Sequence, residues 1–258
     1  MSHLPLYAGF TYFDKPHADE VHQALEALCL RFAEVVVVPS EFAKRVLTSV
    51  HAINSDRITV IGEGVRMPDQ RRNGGADSKR RTRLRILSVA RLVEQKGLHY
   101  TVQVLVRLRE RGVPFQLTLV GQGPLESRLR ALLDRERLTA RLTLIRACDH
   151  DELLALYARA DVFLSTSLYE TFGLTVLEAM SRGCVPVAFR LPALRELIDG
   201  AGITVPVGDV QAAAAAIESL SNAPRRRAVF SARAMLRAAD FSWERHARSL
   251  LRMMESRE

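Results

Sequence analysis

Residues 161–189 read DVFLSTSLYETFGLTVLEAMSRGCVPVAF. The first five, Asp161–Ser165, form a short and nearly continuous apolar run, the pattern of a strand buried on both faces. A polar loop follows. From Gly173 onward Val176, Leu177, Ala179 and Met180 recur at helical spacing, and the helix is expected to be largely buried. Cys184–Phe189 is a second buried-strand run. Two such strands with a helix between them make a βαβ unit, because parallel strands need a crossover. This stretch sets the fold class as α/β, with a parallel sheet covered by helices.

The same rhythm extends in both directions. Strands are predicted at Glu34–Val38, Arg57–Ile61, Leu84–Ala90, Phe115–Val120, Arg141–Ile145 and Ile203–Pro206. Helices are predicted over 18–32, 41–50, 97–112, 124–137, 150–160, 173–183, 209–221, 225–239 and 242–255. Residues 67–83, MPDQRRNGGADSKRRTR, lack apolar periodicity and read as a basic linker. Before the linker stand too few elements for an independent doubly wound domain; after it, six strands suffice. The expected organisation is an incomplete first domain over 1–66, the linker over 67–83, a complete Rossmann-like domain over 84–239 and a terminal helix within 240–258.

Composition excludes several classes. The chain has 258 residues, 48% hydrophobic and 26% charged, which rules out a disordered or collagen-like chain. No window is long and apolar enough to span a membrane, and MSHLPLYAGF does not read as a signal peptide. Cys29, Cys148 and Cys184 are odd in number and widely spaced, against a disulfide framework or zinc site and in keeping with a reducing cytoplasm. The net charge is +8, carried by 33 Arg against 4 Lys. That bias fits a GC-rich coding sequence as well as attraction to lipid surfaces, nucleic acid or phosphorylated substrates. Nucleic acid is the weakest of these, since aromatic residues make up only 6% and none is interleaved on a basic face.

Three constellations could carry chemistry. Arg91 and Lys96 lie in the loop after strand Leu84–Ala90, at the carboxyl edge where open α/β sheets bind ligands. There they could neutralise a diphosphate, Arg as a planar fork and Lys as a point charge; equally, they could be solvated cations of a basic protein. Gly121-Gln122-Gly123 follows a strand and precedes a helix, but Glu126 stands where a dinucleotide fingerprint has its third glycine, so a tight turn is the plainer reading. Glu170 precedes the helix that Gly173 opens, and Glu178 lies inside it. The amides of Phe172, Gly173, Leu174 and Thr175 would be available to an anion. Glu178 lies about 7.5 Å further along the helix than Gly173, comparable to the reach from a nucleotide's phosphate to its ribose. Alternatively Glu170 is an acid favoured by the helix dipole and Glu178 a surface acid, although its apolar neighbours argue for a buried group that needs a partner.

Glu170 and Glu178, with ETFGLTVLEAMSRGCVPV around them, resemble the EX7E motif of the retaining, GT-B-fold glycosyltransferases of family GT4. SVARLVEQKG is similar to that family's diphosphate loop, LTLVGQGP to its next strand-turn-helix, and DHDELLALYARADVFLSTSLYETFG to the segment leading into the motif. AGITVPVGDVQAAAAAI resembles the end of the donor domain and FSWERHARSLLRMM the helix that crosses back to the first domain. AEVVVVPSEFAKRVL and DRITVIGEGV resemble the last units of that first domain. The resemblance implies a GT-B type chain, truncated at its N-terminal side, with one complete donor domain and a remnant of the acceptor-side domain.

It also implies roles. Arg91 and Lys96 would bind the donor's diphosphate and stabilise the leaving nucleotide, and Glu170 would contact the transferred sugar; these three are the implied catalytic residues. Glu178 would hold the ribose, the amides of Phe172, Gly173, Leu174 and Thr175 phosphate or sugar, the Gly121 turn the approaching donor, and the backbone at Arg146–Ala147 the base. Transfer from a nucleotide-sugar would retain configuration with no cofactor and no bound metal. His3, in HLPLYAGFTYF, is similar to a His-containing acceptor loop of lipid glucosyltransferases; the plainer alternative is an N-terminal residue without a role. A lipid-linked acceptor and peripheral association with the inner face of a membrane follow from that likeness and the basic charge. Arg146 stands where the family often has Gly, and Thr171 where Gly is commoner between Glu and Phe. The absent first domain sustains a second expectation, a non-catalytic nucleotide-sugar-binding fragment or subunit that needs a partner chain. His150 is expected to cap a helix together with Asp149.

Overall fold

The computed structural model describes residues 28–50, 52–68 and 83–255. It divides into two compact units, Met1–Gly64 with Trp243–Glu258, and Val65–Ser242. His3, most of the helix predicted over 18–32 and most of the basic run at 67–83 lie outside the described residues.

In the first unit β1 (Val36–Val38) pairs in parallel with β2 (Ile58–Val60), and α1 (Glu41–Val50) connects them. Ser40 starts α1 in the way short hydroxyl residues do, its Oγ accepting from the amide of Ala43 at 3.0 Å. Leu30, Val36, Val38, Ala43, Leu47 and Ile58 close a small core. The terminal helix Trp243–Glu255 belongs to this unit. Its Trp243 ring lies over Gly64, where a Cβ would come within 2.4 Å of the indole. His246 Nδ1 stands 2.7 Å from the carbonyl oxygen of Gly62.

The second unit is a six-stranded, all-parallel sheet. In chain order it runs β3 (Leu84–Val89), α2 (Leu98–Glu110), β4 (Phe115–Val120), α3 (Glu126–Arg135), β5 (Leu142–Ile145), α4 (His150–Arg159) and β6 (Val162–Ser165). It continues with α5 (Leu174–Ser181), β7 (Val185–Phe189), α6 (Pro192–Ile198), β8 (Ile203–Val205), α7 (Val210–Asn222) and α8 (Pro224–Ala239). The spatial order is β5-β4-β3-β6-β7-β8. β6 and β7, inside the sheet, are buried at every residue, β3 and β4 at most of theirs, and β5 at the edge at none. This is why β6 and β7 read as continuous apolar runs.

Side chains alternate between two cores, as the period of a strand requires. Ile86, Val162, Leu164, Val185 and Val187 meet Leu98, Leu105 and Leu108 of α2 and Ile217 of α7. Leu87, Phe163 and Ala188 meet Tyr157 of α4, Leu177 and Met180 of α5, Leu194 of α6 and Ala234 of α8. Pro186 sits inside β7 without cost to the ladder. Val185 turns its amide toward β6, donating to Asp161 O at 3.1 Å, so the next residue turns toward β8. Pairing with β8 starts only at Val187, so no partner there needs an amide from Pro186.

Two features differ from the sequence reading. Helix α6 was not expected; it is seven residues long and opens on Pro192. A proline is favoured at that position because its missing amide is one the first turn cannot use. His150 is not the cap of α4. Asp149 is, forming a capping box in which the amide of Glu152 donates to Asp149 Oδ1 at 2.7 Å and the amide of Asp149 donates to Glu152 Oε2 at 3.3 Å.

Candidate functional site

The strand order changes direction between β3 and β6. The chain leaves β3 toward β4 and β5, then returns through α4 to lay β6 on the other side of β3. The loops after β3 and β6 therefore meet at the carboxyl edge where the strand order reverses, the place where open sheets of this kind bind ligands. The loop after β3 carries Arg91 and Lys96; the loop after β6 carries Glu170 and leads into α5.

Short hydrogen bonds fasten the two loops to each other. The amide of Leu168 donates to Gln95 O at 2.8 Å, and Gln95 Nε2 to Tyr169 O at 3.3 Å. Thr166 Oγ1 donates to Gly97 O at 3.0 Å and lies 2.7 Å from Thr101 Oγ1. On this scaffold Lys96 Nζ reaches Glu170 Oε1 at 2.6 Å, with the two side chains only 16% and 15% exposed. Ser167 Oγ donates to the same carboxylate oxygen at 2.8 Å. An ammonium and a carboxylate are thus held side by side at this switch point of the sheet. Arg91 stands on the exposed surface of the same loop.

Gly173 supplies the turn into α5. Its φ is +102°, in the region that only glycine enters at little cost, and it is the N-cap residue of the helix. The first amides engaged by the helix are those of Val176 and Leu177, which both donate to Gly173 O, at 2.9 and 3.0 Å. The amides of Phe172, Gly173, Leu174 and Thr175 precede them, at the positive end of the helix dipole. The Phe172 ring is buried edge-on against Phe241 at 5.7 Å, so this residue can offer only its backbone. Leu174 is exposed and Thr175 half-buried.

Glu178 lies one turn further, half-buried, and the partner its setting calls for is Tyr157. The Tyr157 hydroxyl, on a side chain with no exposure, donates to Glu178 Oε2 at 2.9 Å. Burial raises the Glu178 carboxyl above the usual carboxylate range; the Tyr157 hydroxyl and the charge of His150 pull it back in part. Burial, and then the neighbouring carboxylate, push the Tyr157 phenol well above its ordinary value. Tyr157 is therefore a fixed donor and not a proton source at neutral pH.

The remaining predicted residues lie along the β4–β5 side of the carboxyl edge. The amide of Gly121 donates to Ile145 O at 2.8 Å, and a Cβ at Gly121 would fall 1.9 Å from Ala90 O. Its φ of +147° and that contact both demand glycine. Arg146 and Ala147 follow β5 and are exposed. The Arg146 guanidinium reaches back to Glu126 at the start of α3, with Nε 3.0 and 2.9 Å from its two oxygens. Arg146, before Arg130, lowers the Glu126 carboxyl. The residue that stands where a dinucleotide fingerprint has glycine is thus half of an ion pair beside the Gly121 turn.

The structure brings Lys96 and Glu170 together directly and joins Glu178 to Tyr157. Sequence reasoning missed Ser167, Gln95 and Tyr157. Ser167 stands three residues before Glu170, a spacing within reach of a local side-chain bond. Tyr157 is the one aromatic residue of α4 and carries a polar tip that burial obliges to find a partner. None of the three cysteines is in a disulfide, and Cys184 Sγ donates to Tyr157 O at 2.9 Å. Among the described residues no group of three or more His, Cys, Asp or Glu is placed to hold a metal ion, and no helix is long and apolar enough to cross a membrane.

The sequence profile described as Glycosyl transferases group 1 matches residues 69–237. The chain is 32% identical over 230 residues to a glycogen synthase of Mycobacterium tuberculosis, covering 87% of this chain and 54% of that protein. It is 31% identical over 173 residues to a GDP-mannose-dependent alpha-(1-6)-phosphatidylinositol dimannoside mannosyltransferase of the same organism, covering 66% and 43%. The chain thus spans about half the length of the curated relatives it matches. Among solved structures, Anabaena Alr3699/HepE in complex with UDP and glucose superposes with a TM-score of 0.76 at 21% identity, covering 92% of this chain and 67% of that one. The expected α/β architecture, of GT-B type, is the fold shared with such structures.

Proposed function

Since the chain belongs to the glycosyl transferases group 1 family, we propose that the carboxyl edge at the β3–β6 switch point takes a nucleotide-diphosphate-sugar and that its sugar is transferred there to an acceptor with retention of configuration. The observation that carries this reading is the Lys96–Glu170 pair at 2.6 Å. A nucleotide-sugar is a diphosphate joined to a polyol. At the joint it needs a cation on the phosphate side and a hydrogen-bond acceptor on the sugar side, and it needs them adjacent. Lys96 and Glu170 supply these, on two loops that the sheet topology brings together.

The other roles follow from the chemistry of the positions. Arg91 joins Lys96 on the diphosphate, and the two cations meet the charge that grows on the leaving nucleotide. Charge stabilisation of this kind contributes about 3 kcal/mol of barrier for each well-placed group. The amides of Phe172, Gly173, Leu174 and Thr175 hold phosphate or sugar oxygens. Glu178, oriented by Tyr157, accepts from ribose hydroxyls. The base lies against the backbone of Arg146–Ala147, above the Gly121 turn. With two side-chain cations on the diphosphate, the reading needs no cofactor and no bound metal. The acceptor we propose is lipid-linked, with the chain acting in the cytoplasm at the inner face of a membrane.

Calorimetric titration with UDP- and GDP-sugars tests the reading. Binding of at least one donor is expected, weakened tenfold or more by Lys96→Ala and by Glu178→Ala. No binding of any common nucleotide-sugar, or binding indifferent to both changes, overturns it. One observation favours a second reading, a donor-binding piece that works only with a partner: the chain covers 54% of the glycogen synthase and 43% of the mannosyltransferase it resembles. Donor binding without turnover, restored by a second polypeptide, decides for that reading; transfer by the chain alone decides against it.

A further inference from the structure

Helix α8 presents an outward face unlike that of an ordinary surface helix. The exposed residues after Pro224 are Arg225, Arg226, Ala228, Val229, Ala232, Arg233, Leu236 and Ala239. At 100° per residue they form one continuous arc, opposite the buried Ala234 and Ala238. A helix on the surface of a globular protein turns polar residues of both charges to water. This arc holds five apolar residues and three arginines, and the helix contains no acidic residue. Val229 is 52% and Leu236 65% exposed.

The arginines stand against local electrostatics. Arg225, Arg226 and Arg227 occupy the first turn, at the positive end of the helix dipole, where acids are favoured and cations are not. Arg227 has a structural task, donating to Leu220 O at the end of α7 at 2.8 Å. Arg237 likewise holds Glu196 O and Leu197 O. Arg226 lies over the Phe230 ring at 5.6 Å and reaches Ser219 Oγ at 3.4 Å. Among the described residues no carboxylate pairs with Arg225, Arg226 or Arg233. Their charge is turned outward with the apolar stripe.

We propose that this face of α8 is a docking surface for an anionic lipid bilayer, with the helix lying in the plane of the headgroups. Cations and apolar side chains intermixed on one helical face match a surface whose phosphates lie just above hydrocarbon. Charge complementarity selects this occupant. A second copy of the same face would set three arginines against three. The face also lacks the aromatic residues that anchor protein interfaces and is rich in alanine, which such interfaces lack; its alanines let the helix lie close to a planar surface. The docking of this face rests on the membrane association proposed above, while the donor site is built on other elements, so loss of vesicle binding and loss of nucleotide binding are read separately.

Sedimentation of the 258-residue chain with vesicles tests it, using phosphatidylcholine alone and phosphatidylcholine with 30% phosphatidylglycerol. Binding is expected to the anionic vesicles only and to fall as salt rises. Each arginine near such a surface contributes about fivefold (about 1 kcal/mol), so Arg225→Glu with Arg233→Glu should lower the partition tenfold or more. Val229→Asp with Leu236→Asp should lower it similarly. Arg128→Glu, an exposed arginine on α3, should leave it within twofold. Circular dichroism and nucleotide titration confirm that each variant is folded. Equal binding to neutral vesicles, no binding, or an Arg128→Glu loss as large as that of the α8 variants overturns the proposal. So does a dimer that the α8 substitutions dissociate, or a polyglutamate peptide that displaces the vesicles at equal charge.

Discussion

At the residue scale, the two glutamates of the candidate site are held in different ways. Glu170 is fixed by an ammonium and a hydroxyl on one oxygen; Glu178 is buried against a phenol. Removing the Ser167 hydroxyl frees Glu170 to turn while leaving Lys96 in place. Ser167→Ala is expected to lower turnover about fivefold, the worth of one hydrogen bond of about 1 kcal/mol, with donor affinity within twofold, as steady-state kinetics and calorimetry would show. Tyr157→Phe removes the hydroxyl that offsets the burial of Glu178. The carboxyl is then expected to titrate higher still, and the fold to lose about 1–2 kcal/mol in urea unfolding. The sign of the pH dependence follows. A carboxyl raised in the folded state binds its proton more tightly there than in the unfolded chain, so its contribution to stability is full below the unfolded value near 4.5 and declines as pH rises through the raised one. Glu178→Gln should abolish that decline in urea titrations from pH 4 to 8 while weakening nucleotide binding. Both glutamates were legible in the sequence by spacing and by the apolar neighbours of Glu178. Tyr157 was not, because its partner depends on which helix the sheet order places beside α4; Ser167 had the right local spacing but no sign of which loop conformation would bring its hydroxyl to Glu170.

At the scale of elements, every strand predicted from apolar runs is present with its ends shifted by two residues at most, and Phe115–Val120 is found unchanged. Buried parallel strands announce themselves because both faces must be apolar. Helix α6 was hidden because Pro192 and its seven-residue length gave no periodic signal, although Ala193, Leu194, Leu197 and Ile198 are all buried. The turn at Gly121 is stricter than its weak motif suggested. With Ala90 O at 1.9 Å from any added Cβ, Gly121→Ala forces the β3 and β4 loops apart. It should cost about 3 kcal/mol or more, read as a fall in the denaturant midpoint. The capping box of α4 is a milder case. Asp149→Ala is expected to cost about 1 kcal/mol in the same measurement, and it also loosens the helix that carries Tyr157.

At the scale of the whole molecule, the two units are unequal. The sheet of β3–β8 has helices packed on both faces and two cores; the β1–β2 unit closes on six buried residues among those described. Small cores hold less of their surface from water and are marginal by themselves. Native-state hydrogen exchange should therefore find the amides of β3, β4, β6 and β7 protected at least a hundredfold more than those of β1 and β2. Similar protection in both would mean that they open as one cooperative body.

The contact between Lys96 and Glu170 has a last consequence, in terms of competition. The ammonium already has a counter-ion of the chain's own, held 2.6 Å away by a second bond from Ser167. In the donor-transfer reading any incoming anion must evict a carboxylate rather than a water molecule. A single phosphate gains one cation and leaves the displaced acid with nothing to hold. A diphosphate that brings a sugar with it gives the evicted carboxylate hydroxyls to accept from. The pair would then act as a threshold that loose phosphate fails to cross and a complete donor passes, so inorganic phosphate should compete far less well than its charge alone suggests.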